Sequence, residues 1–321
     1  MMKKSLPAML FVLLSVLLLS ACGGGGGQPD ADDNILTLGV IPKSTGGEYW
    51  ETVEVGARRA AGELGVEIKW EGTVTETEFA EQNRIIENMI NLQVDGLALA
   101  PLNKVAMKRM VDQTVGAGIP VVIFDSAVDS DLFSSFVATD NRAGGELGGS
   151  HLASLLPDNA RTMVMRYVQG SGSTEDRSEG AIAKLKEAGH QVLSDPYPDT
   201  GTVEGCKTAA ANALEGFVTD GKLELDGIFA ANLYSTLGVL EALEDLEKGG
   251  VEVDVAFVGF DTSEKLIKAV QDGAIDALVA QNPENMGYLA VKTLVAVIRE
   301  EPFEAVVDTG VNLVTAETLS E

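Results

Sequence analysis

With 321 residues and a formal net charge of −26, the chain is long enough for two hydrophobic cores and too acidic to dock on nucleic acid or a bare anionic membrane surface, both of which repel it. Its two cysteines, Cys22 and Cys206, argue against a disulfide framework. The two histidines, His151 and His190, lie far apart in sequence and form no Cys/His cluster with metal-ligand spacing, so neither a metal nor another cofactor is expected.

In chain order, the first element is an address. Lys3 and Lys4 precede an apolar stretch over 6–19, interrupted by Pro7 and Ser15 and too short to span a bilayer comfortably. Residues 1–21 read as a secretory leader. The "LSAC" that closes it resembles the bacterial lipobox, which implies cleavage before Cys22 and a diacylglycerol on its sulfur. Residues 22–33, Cys22 followed by GGGGGQPDADD, offer nothing to bury and read as a flexible tether. Everything beyond then lies in the periplasm or at the cell surface, held to the membrane through that lipid.

From residue 35 onward, apolar runs alternate with segments of helical period. The strand candidates are ILTLGVI, VEIKW, GLALA, PVVIFD, FVAT, RTMVMRYV, HQVLSD, GIFAA, VAFVGF and ALVAQ. Most are short, continuous and rich in Val, Ile or Phe, the pattern of strands buried on both faces of a parallel sheet. Helices are predicted over 48–64, over 79–92 with Phe79, Ile86, Met89 and Ile90 on one stripe, and over 283–299 with Asn282 as N-cap and Pro283 at N1. Ten strands with intervening helices exceed one open sheet, so the expected fold is α/β with two Rossmann-like, doubly wound lobes. Ligands of such sheets sit beyond the carboxyl ends of the strands. Those positions hold Lys43, Asp125, Asn141, Asn232, Asp261 and Gln281. After the first run, "GVIPKSTGGEYW" brings a cation and two large aromatics, Tyr49 and Trp50, to a strand exit, where core packing asks for none of them.

The ordered set VATDN, GIFAAN, VGFD and ALVAQNP resembles the type I periplasmic binding proteins, the sugar-binding group typified by ribose-binding protein, over residues 34–316. The resemblance implies two lobes, 34–140 plus 282–308 and 141–281 plus 309–321, joined by crossovers near 139–141, 281–283 and 307–309. It implies a ligand site of Lys43, Tyr49, Trp50, Asp125, Asn141, Arg177, Asn232, Phe260, Asp261 and Gln281. Two departures from the ribose-binding pattern stand out: Ser126 where an arginine often follows the aspartate, and Lys43 with Gly47 in the first loop. A lysine in "IPK" is similar to the autoinducer-2-binding branch, which lacks the aspartate that this chain keeps in VGFD.

Carboxylates accept hydroxyl hydrogens, Arg and Lys donate to sugar oxygens, and Tyr49, Trp50 and Phe260 offer flat faces to C–H surfaces. Simpler roles stand beside these. Lys43 could be a solvated tip, one of Tyr49 and Trp50 should face the core, Asp261 could cap the helix after it with Glu264, and Arg177 could be a surface helix residue. Cys206 reads as a small hydrophobe. The expected function is a monomeric, lipid-anchored solute-binding protein, without catalytic residues, that hands a sugar or polyol to the permease of an ABC importer. The alternative is a receptor of the same fold, for a sugar or an autoinducer-2-like signal, that docks on a chemoreceptor or sensor kinase.

Overall fold

A computed structural model describes residues 35–320. The leader (1–21), the tether (22–33) and Cys22 lie outside the described residues. The ten apolar runs are all strands. β1 (Thr37–Ile41), β2 (Glu67–Trp70), β3 (Gly96–Leu99), β4 (Val121–Phe124) and β5 (Ser135–Ala138) build the first sheet with β13 (Val306–Asp308), in the order β13-β5-β4-β3-β1-β2, all parallel. β6 (Arg161–Met165), β7 (Gln191–Ser194), β10 (Gly227–Ala230), β11 (Ala256–Phe260) and β12 (Ala277–Ala280) build the second with β14 (Asn312–Thr315), in the order β14-β12-β11-β10-β6-β7; only β14 runs antiparallel. Central β3, β4 and β10 are buried along their whole length, whereas edge strands β2 and β7 are half exposed, as an edge open to solvent requires. The chain passes between the sheets three times, after β5, after β12 and after β13.

Helices cover both sheets. α1 (Glu48–Leu64) and α9 (Pro283–Ile298) pack against each other beside the first sheet. They touch backbone to backbone: a Cβ on Gly56 would lie 1.8 Å from the Glu284 carbonyl oxygen, and one on Gly287 would lie 2.0 Å from that of Val53. The second lobe repeats the device. α4 (Asn141–Leu155) and α5 (Gly172–Glu187) approach so closely that a Cβ on Gly145 would lie 2.0 Å from the Arg177 carbonyl oxygen. Asn282 caps α9, accepting from the Asn285 N–H at 3.1 Å, with Pro283 at the first turn as the sequence predicts.

Three aspartates clip the entry ends of the sheets. Asp95, ahead of β3, accepts the Thr37 N–H of β1 at 2.7 Å. Asp226, ahead of β10, accepts that of Arg161 at 2.6 Å, and Asp276, ahead of β12, accepts that of Phe257 at 2.7 Å. Each closes a backbone donor at the start of the neighbouring strand. The exit ends face the cleft.

Candidate functional site

Two carboxylates leave matching strand exits. Asp125 ends β4 with φ 62°, and Asp261 ends β11 with φ 70°. Their N–H groups donate back to Val137 at 3.0 Å and Val279 at 2.8 Å, so each backbone stays in its sheet while the chain reverses. A non-glycine residue in this left-handed region costs about 1–2 kcal/mol, a cost that Asp tolerates better than most and that clusters at functional sites.

Around Asp125 the first lobe assembles a polar cluster. The Lys43 ammonium lies 2.8 Å from Asp125 Oδ2, with both side chains almost fully buried. That contact falls outside hydrogen-bond geometry, so Oδ2 has no hydrogen-bond donor. The ammonium instead donates across the cleft to Ser173 Oγ at 2.9 Å and Ser171 Oγ at 3.2 Å, at the start of α5 in the second lobe. Lys43 is therefore a buried interlobe residue and no solvated tip. Tyr49, half buried on the first turn of α1, donates its hydroxyl to Asp125 Oδ1 at 3.0 Å. Burial, with the Asp125 charge next, pushes its phenol well above the ordinary value, so it stays a donor.

Trp50 is the core-facing member of the aromatic pair. It is 2% exposed, stands edge-on to Tyr49 and Phe124, and donates Nε1–H to Glu76 Oε1 at 2.9 Å. It still reaches the cavity wall.

In the second lobe, Arg177 lies on α5, 2% exposed, with its guanidinium 4.1 Å from the Phe260 ring centroid. Nε donates to Asn141 Oδ1 at 2.8 Å and Nη1 to the Ala231 carbonyl at 3.2 Å, while Nη2 has no partner. Nη1 stands 3.9 Å from Asp261 Oδ2, near enough for both groups to grip one hydroxyl. Asp261 does not cap the helix after it: Ser263 caps α8 (Glu264–Asp272). Its Oδ2 accepts the Leu233 N–H at 2.9 Å, at the first turn of α7 (Leu233–Lys248), and its Oδ1 accepts Gln281 Nε2–H at 2.7 Å. Burial raises the Asp261 carboxyl above the ordinary range, and the Arg177 charge, the next cause, opposes it. Asn232 caps α7, its Oδ1 accepting from Ser235 N–H at 3.0 Å in a capping box with the Ser235 hydroxyl.

Lys43, Tyr49, Trp50, Asp125, Arg177, Asn232, Asp261 and Gln281 all line one small cavity between the lobes. Asn141 and Phe260 are not on its wall. Asn141 stands behind it, donating Nδ2–H to the Asp125 carbonyl at 3.1 Å while its oxygen holds Arg177. Phe260 is fully buried beneath the guanidinium and against Gly144, so the flat face expected of it is spent on Arg177. The second half-buried ring on the cavity wall, after Tyr49, is Tyr234, stacked on Tyr167 with centroids 5.8 Å apart.

Glu76, Ser173, Thr174 and Tyr234 line the cavity without having been singled out in the sequence. Ser173 and Thr174 follow "GSG" at a strand-to-helix turn, a signal that was available; Glu76 had none. Ser126, which replaces the expected arginine, accepts the Ser173 N–H at 2.9 Å across the cleft. Gly47 is left-handed at φ 90°, and a Cβ there would meet the Tyr234 hydroxyl at 2.4 Å; that hydroxyl donates to the Gly46 carbonyl.

Residues 38–302 match the family model described as a periplasmic binding protein domain. The chain is 26% identical over 296 residues to the ribose import binding protein of Bacillus subtilis, covering 91% of this chain and 92% of that one. Among solved structures, it is 31% identical to a carbohydrate transporter solute binding protein from Agrobacterium radiobacter in complex with D-arabinose, with a TM-score of 0.82 over 89% of this chain and 96% of that one. It is 30% identical to an ABC transporter solute binding protein from Agrobacterium vitis with bound D-fucose, with a TM-score of 0.82 over 89% and 97%.

Proposed function

We infer the function from one premise, that the chain belongs to the periplasmic binding protein domain family: it is a binding protein, not an enzyme, that takes a sugar in the cleft between its lobes for delivery to an ABC importer. The family places it in the periplasm or outside the cell. We assign the contacts to Lys43, Tyr49, Asp125, Arg177, Asn232, Asp261 and Gln281, with Trp50 closing one side and Asn141 and Phe260 holding Arg177 in place. Cys22 is the proposed lipid anchor, and the protein acts as a monomer. Acylation is checked by the mass of the mature N-terminus; an unmodified Cys22 rejects the anchor.

One observation supports the sugar reading above the others. Among the described residues, buried side-chain atoms without a hydrogen-bond partner are Thr174 Oγ1, Arg177 Nη2, Gln281 Oε1 and Asn83 Oδ1, with Asp125 Oδ2 held only by its ion pair to Lys43; all but Asn83 belong to the cavity lining. Leaving such atoms unpaired costs about 1–3 kcal/mol each. Donors and acceptors converging in one small space suit a molecule that carries hydroxyls on every side, each both donor and acceptor. Charge-assisted bonds of this kind contribute about 1.5–3 kcal/mol apiece.

The test is a thermal-shift screen of the soluble domain against D-arabinose, D-fucose, D-ribose and D-allose. A sugar present at 100 times its Kd stabilises the protein by about 2.7 kcal/mol. Arg177→Ala and Asp261→Ala should each abolish that shift while leaving cooperative unfolding; a full shift in both variants rejects the site assignment.

A further inference from the structure

The cavity holds one charge that its closest partners do not balance. Its two cations each have a carboxylate at hand, Lys43 with Asp125 at 2.8 Å and Arg177 with Asp261 at 3.9 Å. Glu76 is the third carboxylate of the lining, 5% exposed, and among the described residues it makes no ion pair within 4.0 Å. Its one hydrogen bond is the Trp50 N–H on Oε1. With every group ionised the lining carries one net negative charge.

The loop that carries Glu76 is built to hold it there. The Thr73 hydroxyl donates to the Lys43 carbonyl, and the Thr45 N–H donates to the Thr73 carbonyl at 2.9 Å, tying the loop to the one after β1. Glu78 turns back to accept the N–H groups of Val74 and Thr75, both at 2.8 Å. Trp50, which fixes the carboxylate, is itself held edge-on between Tyr49 and Phe124. A nearly buried carboxylate without an ion pair is costly to a fold, and such groups cluster at functional sites.

We propose that Glu76 is a specificity-determining residue of this cavity, an acceptor for a ligand hydroxyl that makes the site take an uncharged sugar and refuse its acidic counterpart. An aldonate or uronate brings a fourth carboxylate into a space that already holds one in excess, with both cations engaged. Like charges confined in a low-dielectric cleft repel strongly, whereas a hydroxyl offers Glu76 the hydrogen it lacks. This inference rests on the sugar reading above and adds the charge class of the cargo and the residue that sets it.

The experiment is calorimetric titration of the soluble domain with a panel of neutral aldopentoses and aldohexoses, each beside its aldonic or uronic acid, repeated with Glu76→Gln. The wild type should bind the best neutral sugar at least 100-fold more tightly than its acid. The isosteric variant should bind that neutral sugar at least tenfold more weakly. An acid bound within tenfold of its neutral partner overturns the proposal, as does a variant whose affinity for the neutral sugar falls by less than tenfold. If the variant fails to fold, the wild-type comparison decides alone. If neither neutral nor acidic sugars bind, it is the sugar reading itself that fails.

Discussion

Glu76 costs the unliganded fold something that its substitution would return. Burial raises its carboxyl above the ordinary 4.5, and the Lys43 charge, the next cause, pulls it back only in part. A raised folded-state value means that the protonated form favours folding. That contribution is complete below about 4.5, the unfolded value, and is lost as pH rises through the folded one. As pH rises above the unfolded value the wild type therefore bears a cost that Glu76→Gln, which does not titrate, escapes. We expect the unliganded variant to gain in Tm over the wild type as pH rises, with the difference closing below pH 4.5. A difference that stays constant across that range counts against burial of an ionised Glu76. The residue was illegible in the sequence for a physical reason. It lies six positions past the end of β2, in "TVTETEF", and enters the cavity only through loop contacts made by Thr73 and Glu78. Lys43, Asp125, Asp261 and Gln281 were legible because a strand exit fixes where a side chain goes. Cys206, read as a small hydrophobe, is fully buried, with its thiol pushed up to about 12.

At the scale of elements, helix contact positions the guanidinium. α4 carries Gly144, Gly145, Gly148 and Gly149 along its buried side; α5 passes over Gly145 and Gly149 at backbone distance, while Gly144 and Gly148 make room for Phe260 and Phe229. The Arg177 carbonyl lies where a Cβ on Gly145 would be, so Gly145→Ala must push α5 outward at the residue that reaches for the ligand. Overpacking of this kind costs about 1–3 kcal/mol. We expect a matching fall in Tm together with a loss of sugar affinity greater than that of Gly62→Ala on α1, where a Cβ meets nothing within 4 Å. Titration of both variants checks this; equal affinities would separate Arg177 placement from the helix contact. Buried strands announced themselves as unbroken Val, Ile and Phe runs. β13 and β14 did not, because both are short, half-exposed edge strands with no continuous apolar run. The hairpin β8 (Val218–Thr219) and β9 (Lys222–Leu223) turns on Asp220-Gly221, both with positive φ, and that dipeptide is a turn signal the sequence did carry.

Across the whole molecule, closure is a matter of direct contact. Lys43 donates to Ser171 and Ser173, the Ser173 N–H to Ser126, the Tyr234 hydroxyl to Gly46 and the Lys104 N–H to the Gly170 carbonyl, each bond running from one lobe to the other. Lys43 serves the cleft twice, as a cation beside Asp125 and as a bridge. Lys43→Met should therefore weaken sugar binding at least tenfold, about 1.4 kcal/mol, and leave the sugar-saturated protein with a larger radius of gyration than the wild type in small-angle scattering. Unchanged affinity and radius would reduce Lys43 to a bystander. The same embrace sets a limit on freight. With jaws that already touch through these bonds, a longer chain of rings would have to hold them apart. Any cargo too long for the closed gap would wedge the molecule ajar, and a downstream machine that feels only the outline of its courier would pass it over.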